Sequence, residues 1–273
     1  MIRNALNSIA TAARNLLRNW RALVVFLVLY LALLAAIYFF VETHEATILQ
    51  LLLNLILAII APALFFVLQA MGVSYMQAEA KLGALLRQAW REWWKLIVIS
   101  VPIMLLAWLV IYLFGKLEGD VLGAVRDAAR STTTAPRPSN RAAEPPGRWL
   151  EISLTALRCL LLYIALPLAA IHLWIATARD GLGQAFKGIA RVVIRAFAPR
   201  AVLIYAVGLV IFGVIPYFLI SKRTPFGGAW VDMGLLSARL ALAFVFIVFG
   251  WVMTLGALTN ISAESATQRV ENG

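Results

Sequence analysis

The chain has 273 residues, of which 63% are hydrophobic, and a formal net charge of +11. Soluble domains contain about 45–50% apolar residues, whereas this sequence holds six apolar runs of about the 20 residues that a membrane helix needs, which excludes an ordinary soluble domain. Its cations lie in short segments beside these runs and accompany no recognition motif, so anionic lipid is the expected partner and nucleic acid is not.

The first predicted element is an amphipathic helix over about 2–21, ahead of a membrane span over about 22–41. A short acidic loop leads to the second span, at about 47–70, which carries Asn54. A second basic amphipathic helix follows at about 75–94, a third span at about 96–114 and a flexible periplasmic loop at about 115–150. The first part of this loop, Leu117 to Val125, could form a short interfacial helix, and its second part, from Ser131, is rich in Ser, Thr, Pro and Ala. A fourth span follows at about 152–176, and a third basic helix, capped by Asp180, at about 181–199. The last two spans lie at about 201–220 and 234–258.

The second and third basic helices share a motif, Leu-Gly followed by cations at every fourth residue. The copies are Leu82-Gly83 with Arg87, Arg91 and Lys95, and Leu182-Gly183 with Lys187, Arg191 and Arg195. Because side chains four residues apart share a helix face, these cations form a stripe. The first helix holds a weaker copy, Arg14-x-x-x-Arg18-x-Trp20. The pattern predicts three tandem units, each a surface helix, an outgoing span and a returning span.

Each cationic stripe has an apolar or aromatic face opposite it, and a helix of this kind joined to a span is expected at the bilayer surface. The candidate residues for binding anionic lipid, a protein partner or a second copy of the chain are Arg14, Arg18, Arg87, Arg91, Lys95, Lys187, Arg191 and Arg195, with Trp90, Trp93 and Trp94 as aromatic anchors. By the positive-inside rule, the basic helices and both termini are cytoplasmic.

Polar residues within the predicted spans favour an alternative, a small transporter or channel with a site between the spans. They are Asn54, Arg158, His172 and Arg239. A cation at mid-membrane costs about 2.5–3.5 kcal/mol, so Arg158 and Arg239 either line a polar cavity or reach toward water. Each has an acid seven residues earlier on the same helix face, Glu151 and Asp232 respectively, which favours pairing near the interface.

The sequence contains no recognised catalytic or cofactor motif, since HExxH, GxSxG, Walker A, GxGxxG and paired CxxC patterns are missing. Glu42, His44 and Glu45 could supply metal ligands, but without a further His or Cys nearby the set is incomplete. We therefore expect no metal and no cofactor, and the leading interpretation is a non-enzymatic membrane protein. A lipid-modifying enzyme that uses this acidic loop is a third alternative.

The stretches Leu82-Gly83-Ala84-Leu85-Leu86-Arg87 and Leu182-Gly183-Gln184-Ala185-Phe186-Lys187 resemble a segment found in a loose group of bacterial inner-membrane proteins with six spans and no assigned activity. There, a basic Leu-Gly segment follows one span and leads into the next. The layout over about 75–258 is also similar to the membrane domain of some glycerophosphodiester phosphodiesterases, whose catalytic domain has no counterpart here. The resemblance implies a multi-pass protein of the bacterial inner membrane and carries over no activity.

Overall fold

The computed structural model describes residues 2–43, 47–75, 82–131, 148–222 and 229–271. Within these ranges all regular secondary structure is helical, which confirms the predicted all-α class. The helices are α1 (Ile2–Arg18), α2 (Trp20–Glu42), α3 (Ile48–Tyr75), α4 (Leu82–Ser131), α5 (Arg148–Leu160), α6 (Leu166–Asp180), α7 (Leu182–Lys187), α8 (Ile189–Ala196), α9 (Pro199–Leu209), α10 (Ile215–Ser221) and α11 (Ala229–Glu271). A π-helical turn joins α5 to α6, and another joins α9 to α10, at Leu161–Ala165 and Val210–Val214.

Six helical stretches among the described residues are long and apolar enough to cross a membrane. They are Trp20–Glu42, Ile48–Tyr75, Gly83–Asp120, Trp149–Asp180, Pro199–Ser221 and Trp230–Ala263. Many of their large apolar side chains are exposed, and Ile48 and Trp230 each reach 87%. Exposed apolar surface on this scale is unfavourable in water but natural against lipid tails. The predicted six-span, multi-pass membrane architecture is confirmed at this level.

The chain forms two compact units, one of Met1–Ile99 with Ile171–Gly273 and the other of Ser100–Ala170. In the first unit α2 packs against α3, and α11 packs against α1, α3, α9 and α10. Three stretches of this unit are buried on every side. They are 66–74 on α3, 171–177 on α6 and 252–259 on α11. Because a helix buried on all faces must be surrounded by others, these stretches form the core of the first unit.

Gly250 allows α11 to approach the second π-helical turn closely. A β-carbon at this position would lie 2.8 Å from Cγ2 of Ile211 and 3.1 Å from the main-chain nitrogen of Phe212. A β-carbon at Gly208 of α9 would likewise collide with the side chain of Thr254 on α11. Small residues at such crossings let membrane helices attract one another by van der Waals contact, where no hydrophobic force acts between them.

Both π-helical turns come just before a proline, Pro167 in the first case and Pro216 in the second. The residue ahead of each proline donates its N–H five residues back, Leu166 to the Leu161 carbonyl and Ile215 to the Val210 carbonyl. In a regular α-helix a proline ring clashes with the carbonyl four residues earlier. In both cases that carbonyl lies inside the wider π turn, so the span continues past its proline.

α4 is a single helix of 50 residues, where the sequence predicts three separate elements. Those elements are a surface helix, a span and a flexible loop, at about 75–94, 96–114 and 115–150. The predicted junction at Lys95 is wrong because no Gly or Pro lies between residues 85 and 101 to end a helix there. Residues 115–131 are helical, so the flexible loop is wrong there, and the short helix that the sequence allows from Leu117 to Val125 is part of α4. Residues 76–81 and 132–147 lie outside the described ranges.

The third basic segment, predicted as one helix over 181–199, consists of α7 and α8, which meet at Gly188. Gly181 has a φ of +83°, a left-handed conformation that favours glycine, and it terminates α6. Asp180 is therefore the last residue of α6, and its predicted role as the N-cap is wrong. The first basic helix is also shorter than predicted, because Asn19 interrupts it and caps α2.

Candidate functional site

α1 has three distinct faces. The face that packs against the protein contains Ala5, Ile9, Ala12 and Leu16, all buried, and α1 contacts α9 and α11. An adjoining strip carries the exposed apolar side chains of Leu6 and Leu17, and the predicted cations Arg14 and Arg18 are exposed beyond it. The apolar side of this helix is thus divided into a part that packs on protein and a part that stays open beside the cations.

The first turns of α4 show the same three faces. The buried face consists of Leu85, Ala89, Leu96 and Ile99. Trp90 and Trp94 are 64% and 48% exposed, and Arg87 and Arg91 are exposed next to them. Lys95 and Arg91 both pair with the Glu92 carboxylate, Lys95 at 2.6 Å and Arg91 at 3.6 Å, and Lys95 is the less exposed of the two. The three predicted tryptophans are not equivalent either, since the half-buried ring of Trp93 lies 6.1 Å from that of Trp90.

α8 repeats this arrangement over a shorter length. Ala196 is buried, whereas Ile194 is 74% exposed and Phe197, directly after the helix, is 44% exposed. Arg191 and, at the end of α7, Lys187 are exposed as well. Arg195 is only half-exposed and lines a cavity. Seven of the eight predicted basic residues are therefore solvent-facing or paired near the surface, and Arg195 alone of the eight lines this cavity.

The cavity, of about 190 Å³, lies where α6, α8, α9 and α11 meet in the first unit. Its walls are mainly apolar and are formed by Ile175, Ala176, Val192, Ala198, Ala201 and Ile261. Its polar side chains are His172, Arg179, Arg195 and Ser262. A groove of about 560 Å³ adjoins it over α7 and α8, shares Arg195 with it, and adds Asp180, Lys187 and Arg191. Four arginine or lysine side chains and one carboxylate thus line the cavity and groove together.

Arg179 is held firmly at this site. Its Nε and Nη2 each donate to a carboxylate oxygen of Asp180 at 2.8 Å, and its Nη1 donates to the main-chain carbonyl of Ser262 at 3.1 Å. A bidentate pair of this kind is strong and fixes the orientation of the guanidinium plane. The Asp180 carboxylate also interacts electrostatically with Arg195, and the four cations together give the described lining a net positive charge.

No family model, curated protein or solved structure matches this chain.

Three of the polar residues predicted inside the spans lie in the first unit, and each has different neighbours. Asn54 on α3 is buried and donates from Nδ2 to the carbonyl of Thr43 at 3.0 Å, across the connection from α2. Arg239 on α11 donates to the carbonyl of Lys222, just after α10, at 2.5 Å. His172 lines the cavity. Each of these three side chains therefore takes part in a different contact between helices.

Arg158 belongs to the second unit and pairs with Glu118 of α4, with Nη1 and Oε2 3.1 Å apart. The spacing along α5 suggests Glu151 as its partner, but the observed carboxylate is 40 residues away in sequence. A periodic pattern within one helix cannot identify a partner on another helix. The pairing agrees with the expectation that this arginine finds an acid and does not stand alone in the membrane.

Sequence reasoning missed two polar contacts between helices. One is the Arg179 interaction with Ser262, for which the only sequence signal is an Arg-Asp pair at the end of a span. The other joins α11 to α3, where Nε1 of Trp251 donates to Oε1 of the buried Gln69 at 2.8 Å. A single glutamine within an apolar run was the available signal for this second contact.

The acidic loop considered for metal binding is only partly described. His44 and Glu45 lie outside the described residues, and Glu42 ends α2. Among the residues that the structure describes, no group of three or more His, Cys, Asp and Glu side chains could hold a metal ion.

Proposed function

We propose that this chain is a non-enzymatic integral membrane protein that binds anionic lipid head groups through the basic faces of α1, α4 and α8. The observation that supports this best is the common order of faces on the three helices: buried, exposed apolar, exposed cationic. A helix that is fixed to protein on one face, and shows apolar and cationic side chains side by side on the others, suits the boundary between acyl chains and head groups.

The energetics are sufficient for this role. Each cation close to an anionic leaflet contributes about 1 kcal/mol, so Arg87, Arg91, Lys187 and Arg191 together contribute on the order of 4 kcal/mol. Arg91 is 78% exposed, although its Nε also lies 3.6 Å from Oε1 of Glu92. Lys95 contributes less, because part of its charge is compensated by a neighbouring carboxylate.

We place these basic faces and both termini on the cytoplasmic side of a bacterial inner membrane, in accordance with the positive-inside rule. A contact between α3 and α1 supports a common end for the first two basic segments. The Tyr75 hydroxyl, at the end of α3, donates to the Asn15 carbonyl of α1 at 3.1 Å, and α4 begins seven residues after Tyr75. The three-unit repeat and membership in the six-span group of similar layout are parts of this proposal.

The test is reversal of exposed charge, with the protein reconstituted into bilayers of mixed phosphatidylglycerol and phosphatidylethanolamine. Arg87→Glu, Arg91→Glu, Lys187→Glu and Arg191→Glu are combined in one variant, and the lipid retained after mild detergent extraction is measured by mass spectrometry. We expect the wild type to retain phosphatidylglycerol above its bulk fraction and the variant to lose this enrichment.

A matched pair of variants separates position from net charge. Arg87→Glu with Arg91→Glu is compared with Lys116→Glu and Lys222→Glu, which reverse two exposed cations outside the three basic faces. The proposal predicts a loss of enrichment for the first pair and not for the second. Equal enrichment in the wild type and in the fourfold variant would contradict the proposal.

A further inference from the structure

We propose that the cavity between α6, α8, α9 and α11 binds one anionic phospholipid, with its head group in the adjoining cationic groove and part of an acyl chain against the apolar walls. The inference rests on the proposed binding of anionic lipid and adds a defined site with a defined stoichiometry. It concerns residues of the first unit only, chiefly Arg195, Arg179 and the small side chains that leave the cavity open.

The chemistry of the lining fits an amphiphile better than a small soluble anion. Six apolar residues form the cavity walls, and Arg195, one of its cations, also lines the groove. Sites that enclose a whole drug-sized ligand measure roughly 300–1,000 Å³, so a cavity of about 190 Å³ can take only a portion of a lipid. The groove, at about 560 Å³, has room for the head group that remains outside.

Three described residues line both the cavity and the groove, Ala176, Val192 and Arg195, and of these Arg195 carries the charge. Arg179 is oriented by three hydrogen bonds to Asp180 and Ser262, and a guanidinium has further N–H donors for a phosphate oxygen. Among the residues described around the groove, Asp180 supplies the carboxylate, and Arg179 binds both of its oxygens. Four cations line the two spaces, so an entering phosphate meets a net positive charge even though the Asp180 carboxylate also interacts electrostatically with Arg195.

The exposed apolar side chains beside the site also favour a phospholipid as its ligand. Ile194 and Phe197 belong to the segment that carries Arg195, and both are exposed apolar side chains. If α8 lies at the membrane boundary as proposed above, a lipid can enter the groove from the side without leaving its leaflet. An inorganic or water-soluble phosphate would gain nothing from the apolar walls, so the lining favours a lipid-borne phosphate.

The experiment is native mass spectrometry of the full-length protein in detergent, titrated with phosphatidylglycerol. We expect one tightly bound lipid. Arg195→Gln should raise the dissociation constant for this lipid about tenfold, which is the effect of losing one charge-assisted contact. Ala198→Phe should displace the lipid by filling the cavity while every charge is retained. Ala198 is exposed at the rim, so this substitution is compatible with folding, and Ala198→Ser, which changes the volume little, should bind as the wild type does.

Lys116→Gln is the matched charge control, because it removes one exposed positive charge outside the cavity, the groove and the three basic faces, and it should leave the dissociation constant unchanged. The proposal is overturned if Arg195→Gln and Ala198→Phe bind the lipid as tightly as the wild type, or if phosphatidylethanolamine binds equally well. It is also overturned if glycerol phosphate competes as effectively as phosphatidylglycerol, since the site would then recognise a soluble phosphate.

The two proposals can fail separately. If charge reversal at Arg87 and Arg91 abolishes lipid enrichment while the cavity variants bind normally, the surface proposal stands and the cavity proposal is wrong. If the cavity variants lose their single lipid while charge reversal at Arg87 and Arg91 has no effect on enrichment, the cavity binds lipid and the surface proposal is wrong.

Discussion

Arg179 at the end of α6 donates a hydrogen bond of 3.1 Å to the main-chain carbonyl of Ser262 on α11, 83 residues further along the chain. The same guanidinium binds both carboxylate oxygens of Asp180. Because α6 and α11 each contain a stretch buried on every side, this contact joins two core helices at the place where the cavity lies.

Arg179→Gln should lower the stability of the first unit, because it breaks both the carboxylate pair and the bond to α11. The side chain is 35% exposed, so we expect a loss near the lower end for charged hydrogen bonds, about 1 kcal/mol, or about 2–4 °C in melting temperature. Thermal unfolding in detergent, followed by circular dichroism, measures this. Arg191→Gln, an exposed cation on α8, should melt as the wild type does, and equal melting of both variants would contradict the prediction.

Gly250→Val should destabilise the crossing of α11 with the second π-helical turn. The added β-carbon would lie 3.1 Å from a main-chain nitrogen that cannot move aside, and overpacking of this kind costs about 1–3 kcal/mol. Gly234→Val on the same helix provides the control, since nothing lies within 4 Å of a β-carbon there. Unfolding by sodium dodecyl sulfate compares the two, and a larger loss at Gly234 would show that the helices cross differently.

The hydrogen bond between Trp251 and Gln69 should contribute a measurable coupling between α11 and α3. Polar contacts between membrane helices average about 0.6 kcal/mol and reach about 1.7 kcal/mol. A double-mutant cycle with Gln69→Leu and Trp251→Phe isolates this interaction from the separate effects of each substitution. We expect a coupling within that range, and additive effects of the two substitutions would indicate that the bond does not form.

The pairing of Arg158 with Glu118 can be distinguished from the Glu151 pairing that helix spacing suggests. Glu118→Gln should couple to Arg158→Gln by about 0.5–1 kcal/mol, reduced by partial exposure of both side chains. Glu151→Gln, paired with the same arginine substitution in a second cycle, should show no coupling. A stronger coupling at Glu151 would overturn the assignment of Glu118.

The six spans could be predicted because hydropathy is a sum over many residues and tolerates local errors. The boundaries of the basic segments could not be predicted from the sequence. Gly181, Gly188 and Asn19 interrupt helices, while the charged residues around Lys95, which suggest a junction, do not. A run of helix-forming residues continues through such charges, and a glycine with positive φ outweighs the capping tendency of the aspartate beside it.

In the candidate site, too, the spacing of residues along the sequence predicts some features, whereas helix packing determines others. The cations of α4 and α8 were predictable from their four-residue spacing. That Arg195 lines a cavity while Arg191 stays exposed depends on the small side chains of α6 and α9, such as Ala176 and Ala201. Glu118, the partner of Arg158, and Ser262, the second partner of Arg179, lie on other helices, and no pattern within a single helix specifies them.

The central claim is that one flank of each basic helix contacts lipid while the cations beside it face the aqueous boundary. Spin labels at single cysteines, introduced at Ile194 and at Arg191 in a Cys159→Ser background, test it on one helix in a reconstituted bilayer. We predict that the label at 194 is relaxed mainly by oxygen dissolved in the bilayer, and the label at 191 mainly by a water-soluble nickel complex. If both labels are equally accessible to the nickel complex, or both lie at the depth of the acyl chains, the claim is wrong.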